Sequence, residues 1–132
     1  MKNIFITGGA GFLGWDIVKN LLEDKDSKLY LLVRGKTSLS AKDRIDSLVK
    51  KDYISQEAKG VLDRIEVIEG DITENSLGIE KKVLDRLHEE IDTIYHSGAL
   101  CEFGVAWDKI KVINVDGTKN VLEFAKKCVN LK

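Results

Sequence analysis

Gly8, Gly11 and Gly14 stand in the stretch Thr7-Gly8-Gly9-Ala10-Gly11-Phe12-Leu13-Gly14, directly after the apolar run Ile4-Phe5-Ile6. The run reads as a buried strand. The residues from about Phe12 to Glu23 read as a helix, because Ile17, Val18, Leu21 and Leu22 share one face at helical spacing. Strand, glycine turn and helix in that order are the context in which spaced glycines hold a pyrophosphate. One glycine permits the tight turn. Another lets backbone approach the phosphates with no Cβ between them, and the last lets the helix pack closely on the strand. The helix start adds open N–H groups and a partial positive charge. Gly8, Gly11, Phe12, Leu13 and Gly14 are therefore the expected phosphate contacts. A valine at Gly11 is expected to obstruct the phosphates and to resist a positive φ there.

Arg34 comes just after a second apolar run, about 20 residues beyond the turn, where an acidic residue would hold the ribose 2′-hydroxyl of NAD and an arginine can accept the 2′-phosphate of NADP. The expected cofactor is accordingly NADP, with NAD as the alternative; a solvated arginine at a strand end is the structural alternative for Arg34, and Arg44 of the following helix either assists or forms a surface ion pair. His96 has no carboxylate or serine at a useful spacing and reads as structural. The two histidines and two cysteines show no metal-ligand spacing, so no metal is expected.

These residues need a frame. Leu29-Tyr30-Leu31-Leu32-Val33 is continuously apolar, as in a central parallel strand. Ser40-Ala41-Lys42-Asp43 reads as a capping box for a helix carrying Ile45, Leu48 and Val49, and a short helix spans Gln56 to Leu62. Ile65 to Glu69 partly alternates, which suits an edge strand. Val83, Leu84, Leu87 and Ile91 mark another helix, and Thr93-Ile94-Tyr95-His96 a fourth strand. A single long helix is predicted from Trp107 to Cys128, burying Ile110, Ile113, Val121, Leu122 and Ala125, with Gly117 and Thr118 allowing close approach to the sheet. Alternating strands and helices imply an α/β fold, a Rossmann-type doubly wound parallel sheet of about four strands in the order 3-2-1-4.

A chain of 132 residues with 43% hydrophobic content can bury one core. Its net charge of −1 offers no field for nucleic acid or an anionic membrane. No apolar stretch spans a bilayer and no signal pattern opens the chain, so a cytoplasmic protein is expected. Cys101 and Cys128 are expected to be buried thiols rather than a disulfide.

Further segments resemble the extended short-chain dehydrogenase/reductase family. Gly70-Asp71 looks like its aspartate beside the adenine, with Ile72 adding apolar contact. His96-Ser97-Gly98-Ala99 looks like the small-residue loop behind the nicotinamide ribose. Asn114-Val115-Asp116-Gly117-Thr118 looks like its Asn-Val-x-Gly-Thr segment. The combination of Gly-Phe-Leu-Gly, Leu32-Val33-Arg34 and Gly70-Asp71 is most similar to the thioester reductase and fatty acyl-CoA reductase branch. The resemblance implies cofactor contacts at Asp71, Ile72, Ser97, Gly98 and Ala99, a proton-relay or carbonyl-orienting role for Asn114, and NADPH-dependent reduction of an acyl thioester. For Asp71 a plain turn cap, and for Asn114 a bond to a neighbouring strand, are the structural alternatives. The family's Tyr-x-x-x-Lys pair is absent: positions four after Tyr30, Tyr53 and Tyr95 hold Arg34, Glu57 and Ala99. Residues 1–132 thus read as the N-terminal part of a NAD(P)-binding domain, inactive alone, with catalytic and substrate-binding portions elsewhere. A sugar-nucleotide epimerase or dehydratase, and a non-catalytic redox-sensing module, are the competing functions. The fourth strand, lacking a fifth beside it, is expected to make the isolated chain self-associate.

Overall fold

Alternation along the strands divides the apolar residues between two faces of one sheet. The computed structural model describes residues 1–35 and 38–132. Its elements are β1 (Lys2–Thr7), α1 (Phe12–Leu22), β2 (Ser27–Val33), α2 (Ala41–Asp52), α3 (Ser55–Asp63), β3 (Ile65–Glu69), a 3₁₀ turn (Asn75–Gly78), α4 (Lys81–Glu90), β4 (Thr93–His96), α5 (Trp107–Ile110), a π-helical segment (Lys111–Asp116) and α6 (Gly117–Lys127). The sheet order is β3-β2-β1-β4, and every pairing is parallel. The predicted Rossmann-type order is therefore the observed one.

One face of the sheet carries Ile4, Ile6, Leu29, Leu31 and Val33, covered by Trp15, Val18 and Leu22 of α1, Ile45 and Val49 of α2, and Val61 of α3. The other carries Phe5, Tyr30, Leu32 and Ile68, covered by Leu84 and Leu87 of α4 and by Val121 and Phe124 of α6. Each fully buried side chain such as Phe5 or Leu31 contributes roughly 1.5–3 kcal/mol. Because β1 and β2 are covered on both sides, their runs are continuously apolar, whereas the sequence of β3 at the edge alternates only in part.

The elements and their core depart from expectation in several places. The long helix is not uniform: residues 111–116 widen into a π turn, with the Gly117 amide bonding the Val112 carbonyl. Thr118 Oγ1 donates to the Asn114 carbonyl (2.7 Å), the kind of side-chain bond that loosens a helical ladder. Beyond it the buried positions are Gly117, Val121, Phe124 and Cys128, so Leu122, about 100° around from Val121, is exposed and Phe124 takes its place. Cys128 is buried but Cys101 is exposed, and both are free thiols. Finally, Ser40 Oγ caps α2 through the Asp43 amide (3.1 Å), but among the described residues no bond returns from the Asp43 carboxylate to the Ser40 amide. Trp15, which the periodicity did not single out, is buried in the first face and donates to Asp52 (2.6 Å), tying α1 to α2.

Candidate functional site

Parallel strands in register end on one side of the sheet. Thr7 of β1 stands opposite Leu32 and His96, and Val33 of β2 stands opposite Glu69. The loops that follow these ends enclose a cleft of about 260 Å³, at the point where the chain's strand order reverses. Of the residues singled out from the sequence, Gly8, Gly11, Arg34, Asp71, Ile72, Ser97, Gly98 and Ala99 line it; Thr7, Arg44 and Leu100 join them. Phe12, Leu13, Gly14 and Asn114 are not among its lining residues.

The glycine turn divides its labour unequally. Gly8 has φ +70°, and a Cβ there would lie 2.6 Å from the Gly98 nitrogen and 2.7 Å from the Ser97 carbonyl carbon. The turn is thus pressed against the loop after β4, a contact only glycine permits. A Cβ at Gly14 would overlap the Gly8 carbonyl oxygen, which seats α1 on the turn. Gly11 has φ −80° and ψ 175°, ordinary extended backbone. The expected positive φ at Gly11 is therefore wrong; it belongs to Gly8, and what a side chain at Gly11 would take is open space, its one near neighbour being the Gly8 carbonyl oxygen at 3.3 Å. α1 has no side-chain cap and no acidic residue in its first turn, which leaves its opening amides to an outside acceptor. The side chains of Phe12 and Leu13 point to solvent, at 95% and 65% exposure, so these two residues offer backbone rather than side-chain contacts.

At the other end of the cleft, Arg34 Nη1 lies 4.0 Å from Asp71 Oδ2, and Arg44 Nη1 donates to the Arg34 carbonyl (2.7 Å). Asp71 Oδ1 accepts from the Thr73 amide (2.9 Å) and the Thr73 hydroxyl (2.8 Å). The carboxylate therefore caps its own turn with one oxygen and faces Arg34 with the other. The Asp71 amide donates to the Leu77 carbonyl (2.8 Å). Leu77 is fully buried in a left-handed turn with Ser76 and Gly78 (φ 52°, 58° and 61° for Ser76, Leu77 and Gly78). Gly70 is required because a Cβ would strike that carbonyl and lie 2.6 Å from Leu32 Cδ1. No periodicity in the sequence announces this support.

Ile72 bridges the cleft to the long helix. Its carbonyl accepts from Asn120 Nδ2 (2.8 Å), and a Cβ at Gly117 would meet Ile72 Cδ1 at 2.9 Å. The close approach anticipated at Gly117 is thus to Ile72, not to a strand. The Ser97 hydroxyl donates to the Thr7 carbonyl (2.9 Å), and the Gly98 amide donates to Thr7 Oγ1 (3.1 Å). Asn114 spends its whole side-chain amide on Leu100: Oδ1 accepts from the Leu100 amide (2.7 Å) and Nδ2 donates to the Leu100 carbonyl (3.0 Å). It clamps the loop after β4 rather than a strand. His96 lies between Thr7 and Thr118, and burial holds its pKa below the ordinary histidine value. Among the described residues there is no cluster fit for a metal ion, and no helix is long and apolar enough to cross a membrane.

The arrangement suits a dinucleotide: a bare helix start beside a glycine turn for a pyrophosphate, and two arginines and a fixed carboxylate where an adenosine would lie. Comparison with known proteins agrees. The family model described as male sterility protein matches residues 6–132. The fatty acyl-CoA reductase wat of Drosophila melanogaster is 35% identical over 136 residues, which cover 99% of this chain and 26% of that protein. The carboxylic acid reductase of Segniliparus rugosus is 33% identical over 135 residues, 95% of this chain and 11% of that enzyme. Among solved structures, the terminal R domain of the myxalamid PKS-NRPS biosynthetic pathway superposes with a TM-score of 0.81 at 33% identity, over 99% of this chain and 32% of that one. The chain spans about a quarter of the length of the fatty acyl-CoA reductase and a third of the R domain.

Proposed function

Because the chain belongs to the male sterility protein family of NAD-binding domains, we propose that it is the cofactor-holding part of a reductase of acyl thioesters. The observation that carries this reading is the meeting, in one cleft, of the Gly8–Gly11 turn, Arg34, Asp71 and the Ser97–Ala99 loop. A bound nicotinamide dinucleotide supplies the hydride for the thioester carbonyl. The chain's own residues do the rest. Gly8 and Gly11 keep the turn free of side chains, and the amides of Phe12, Leu13 and Gly14 take the pyrophosphate. Asp71 would accept from the adenine amino group, and Ile72 would pack on the ring. Ser97, Gly98 and Ala99 pass behind the nicotinamide ribose. Asn114 fixes the Leu100 carbonyl, the acceptor available to a relay water.

We assign NADP over NAD because Arg34 stands at the end of β2 where an acidic residue would select the free 2′-hydroxyl. Arg34 also disfavours the sugar-nucleotide epimerase reading, since enzymes of that kind that retain NAD resemble the acidic version here. Residues 1–132 are taken as the N-terminal part of the cofactor domain, with catalytic and substrate-binding groups supplied outside them. The test is to incubate the full-length protein with NADPH and either a long-chain acyl-CoA or an acylated carrier protein. Oxidation of NADPH with release of aldehyde or alcohol is expected. Turnover of a sugar nucleotide with no net loss of NADPH would sink the proposal.

A further inference from the structure

Counting protons around His96 gives every bond there a direction. The Thr118 hydroxyl donates its one proton to the Asn114 carbonyl (2.7 Å). Thr118 Oγ1 can then only accept from the imidazole, so His96 Nε2, 2.9 Å away, carries the N–H. A neutral ring has a single N–H, so Nδ1 is an acceptor, and the Thr7 hydroxyl at 2.6 Å must donate to it. Thr7 Oγ1 in turn accepts from the Gly98 amide (3.1 Å). The sequence of donors therefore runs from the Gly98 N–H to Thr7 and on to His96 Nδ1, and separately from His96 Nε2–H to Thr118 and the Asn114 carbonyl. Asn114 then holds Leu100 by both its backbone groups. The cleft loop Ser97–Leu100 is thus gripped at Gly98 through β1 and at Leu100 through the π segment, and the ring of His96 joins the two grips.

We propose that His96, as the neutral Nε2–H tautomer, is the positioning residue that locks the loop Ser97–Leu100 in place and thereby sets the affinity of the cleft for its dinucleotide. The affinity half rests on the cofactor reading above; the tautomer half does not. The elements packed against the ring are β1 and the long helix, and they present to it two hydroxyls, Thr7 and Thr118, with no charged group adding to the effect of burial. An imidazolium would need a second N–H at Nδ1. Thr7, 0% exposed, would then hold a hydroxyl proton with no acceptor, and a buried unsatisfied donor is costly. Acid should therefore loosen the loop.

The experiment uses the full-length protein. Long-range ¹⁵N–¹H spectra of the His96 ring are expected to show the Nε2–H tautomer at neutral pH. An Nδ1–H tautomer or an imidazolium would overturn the assignment. Titrations of NADPH are then run on both sides of the ordinary histidine pKa of about 6.5 with the parent, His96→Gln, Thr118→Val and Thr118→Ser. His96→Gln and Thr118→Val should bind about tenfold more weakly at neutral pH. Thr118→Ser, which keeps the hydroxyl, should match the parent. The parent should lose additional affinity on the acid side that His96→Gln does not; the comparison removes the titration of the 2′-phosphate itself, whose second pKa is about 6. Equal affinity and equal pH profiles in the parent, His96→Gln and Thr118→Val would show that the ring only fills space. A parent that binds no dinucleotide overturns the cofactor reading and the affinity half with it, whatever the tautomer.

Discussion

Asp71 Oδ2 stands 4.0 Å from the Arg34 guanidinium across one end of the cleft, with the carboxylate fixed by Thr73 and the arginine 68% exposed. A pair this open and this long is weak, because solvent screens it. Its value lies in placement: Asp71 stands beside the guanidinium, at the end of the cleft proposed for the adenosine, without satisfying it.

The first prediction follows from that placement. A charge-assisted hydrogen bond from Arg34 to a 2′-phosphate contributes on the order of 1.5–3 kcal/mol, or roughly tenfold to hundredfold in affinity. Calorimetric titration of the full-length protein should show that preference for NADPH over NADH, and Arg34→Ala should abolish it. Equal affinity for the two cofactors in the parent protein would remove the basis for choosing NADP.

Two glycine substitutions should fail in different ways. Gly8→Ala forces a side chain into a left-handed backbone and onto the Ser97–Gly98 peptide, so it should lower the melting temperature as well as dinucleotide affinity. Gly11→Val meets no strained φ, so the fold should survive while binding falls by about tenfold or more, because the side chain occupies the phosphate path. Thermal melts beside calorimetry separate the two effects. If Gly11→Val binds as the parent does, the phosphates are not held at this turn.

The two thiols should differ sharply in reactivity. Burial pushes the Cys128 thiol up to about 11, whereas Cys101 is exposed. The thiolate is the nucleophile, so Cys128 should resist alkylation at neutral pH and react only on unfolding. Mass spectrometry after a short maleimide pulse should find the label at Cys101. Comparable labelling at Cys128 in the native protein would mean that α6 does not seal that end of the core.

Among the described residues β4 pairs with β1 alone, and Tyr95, Val112, Val115 and Leu122 are exposed on β4 and the long helix. Unpaired strand edges and apolar patches recruit another chain. The 132-residue chain by itself is predicted to self-associate or to be markedly unstable. Sedimentation against the full-length protein tests this; a stable monomer of the short chain at micromolar concentration would refute it.

Much of the frame was legible because it rests on local periodicity. Continuous apolar runs in β1 and β2, partial alternation in β3 and one-sided helices follow from which faces are covered, and residue type alone reports that. The glycine turn was legible because its need for missing Cβ atoms can be met by no other residue. Leu122 was misplaced because it follows Val121 directly and so lies about 100° around the helix, while Gly117, Val121, Phe124 and Cys128 form the buried face. The left-handed turn that seats Leu77 under Asp71 was invisible because Ser76 and Leu77 carry a positive φ that neither residue type announces, and Leu77 is fully buried.

From the sequence by itself came the doubly wound order, the glycine turn and the arginine at the end of β2, each of them a property of neighbours along the chain. Only the tertiary structure decided which glycine takes the positive φ, what Asn114 holds, and why His96 sits where it does. Thr7 and His96 are 89 positions apart and meet at 2.6 Å because β1 and β4 pair in one register. Hydrogen-bond partners of that kind are set by strand pairing across the sheet, and no spacing along the chain encodes them.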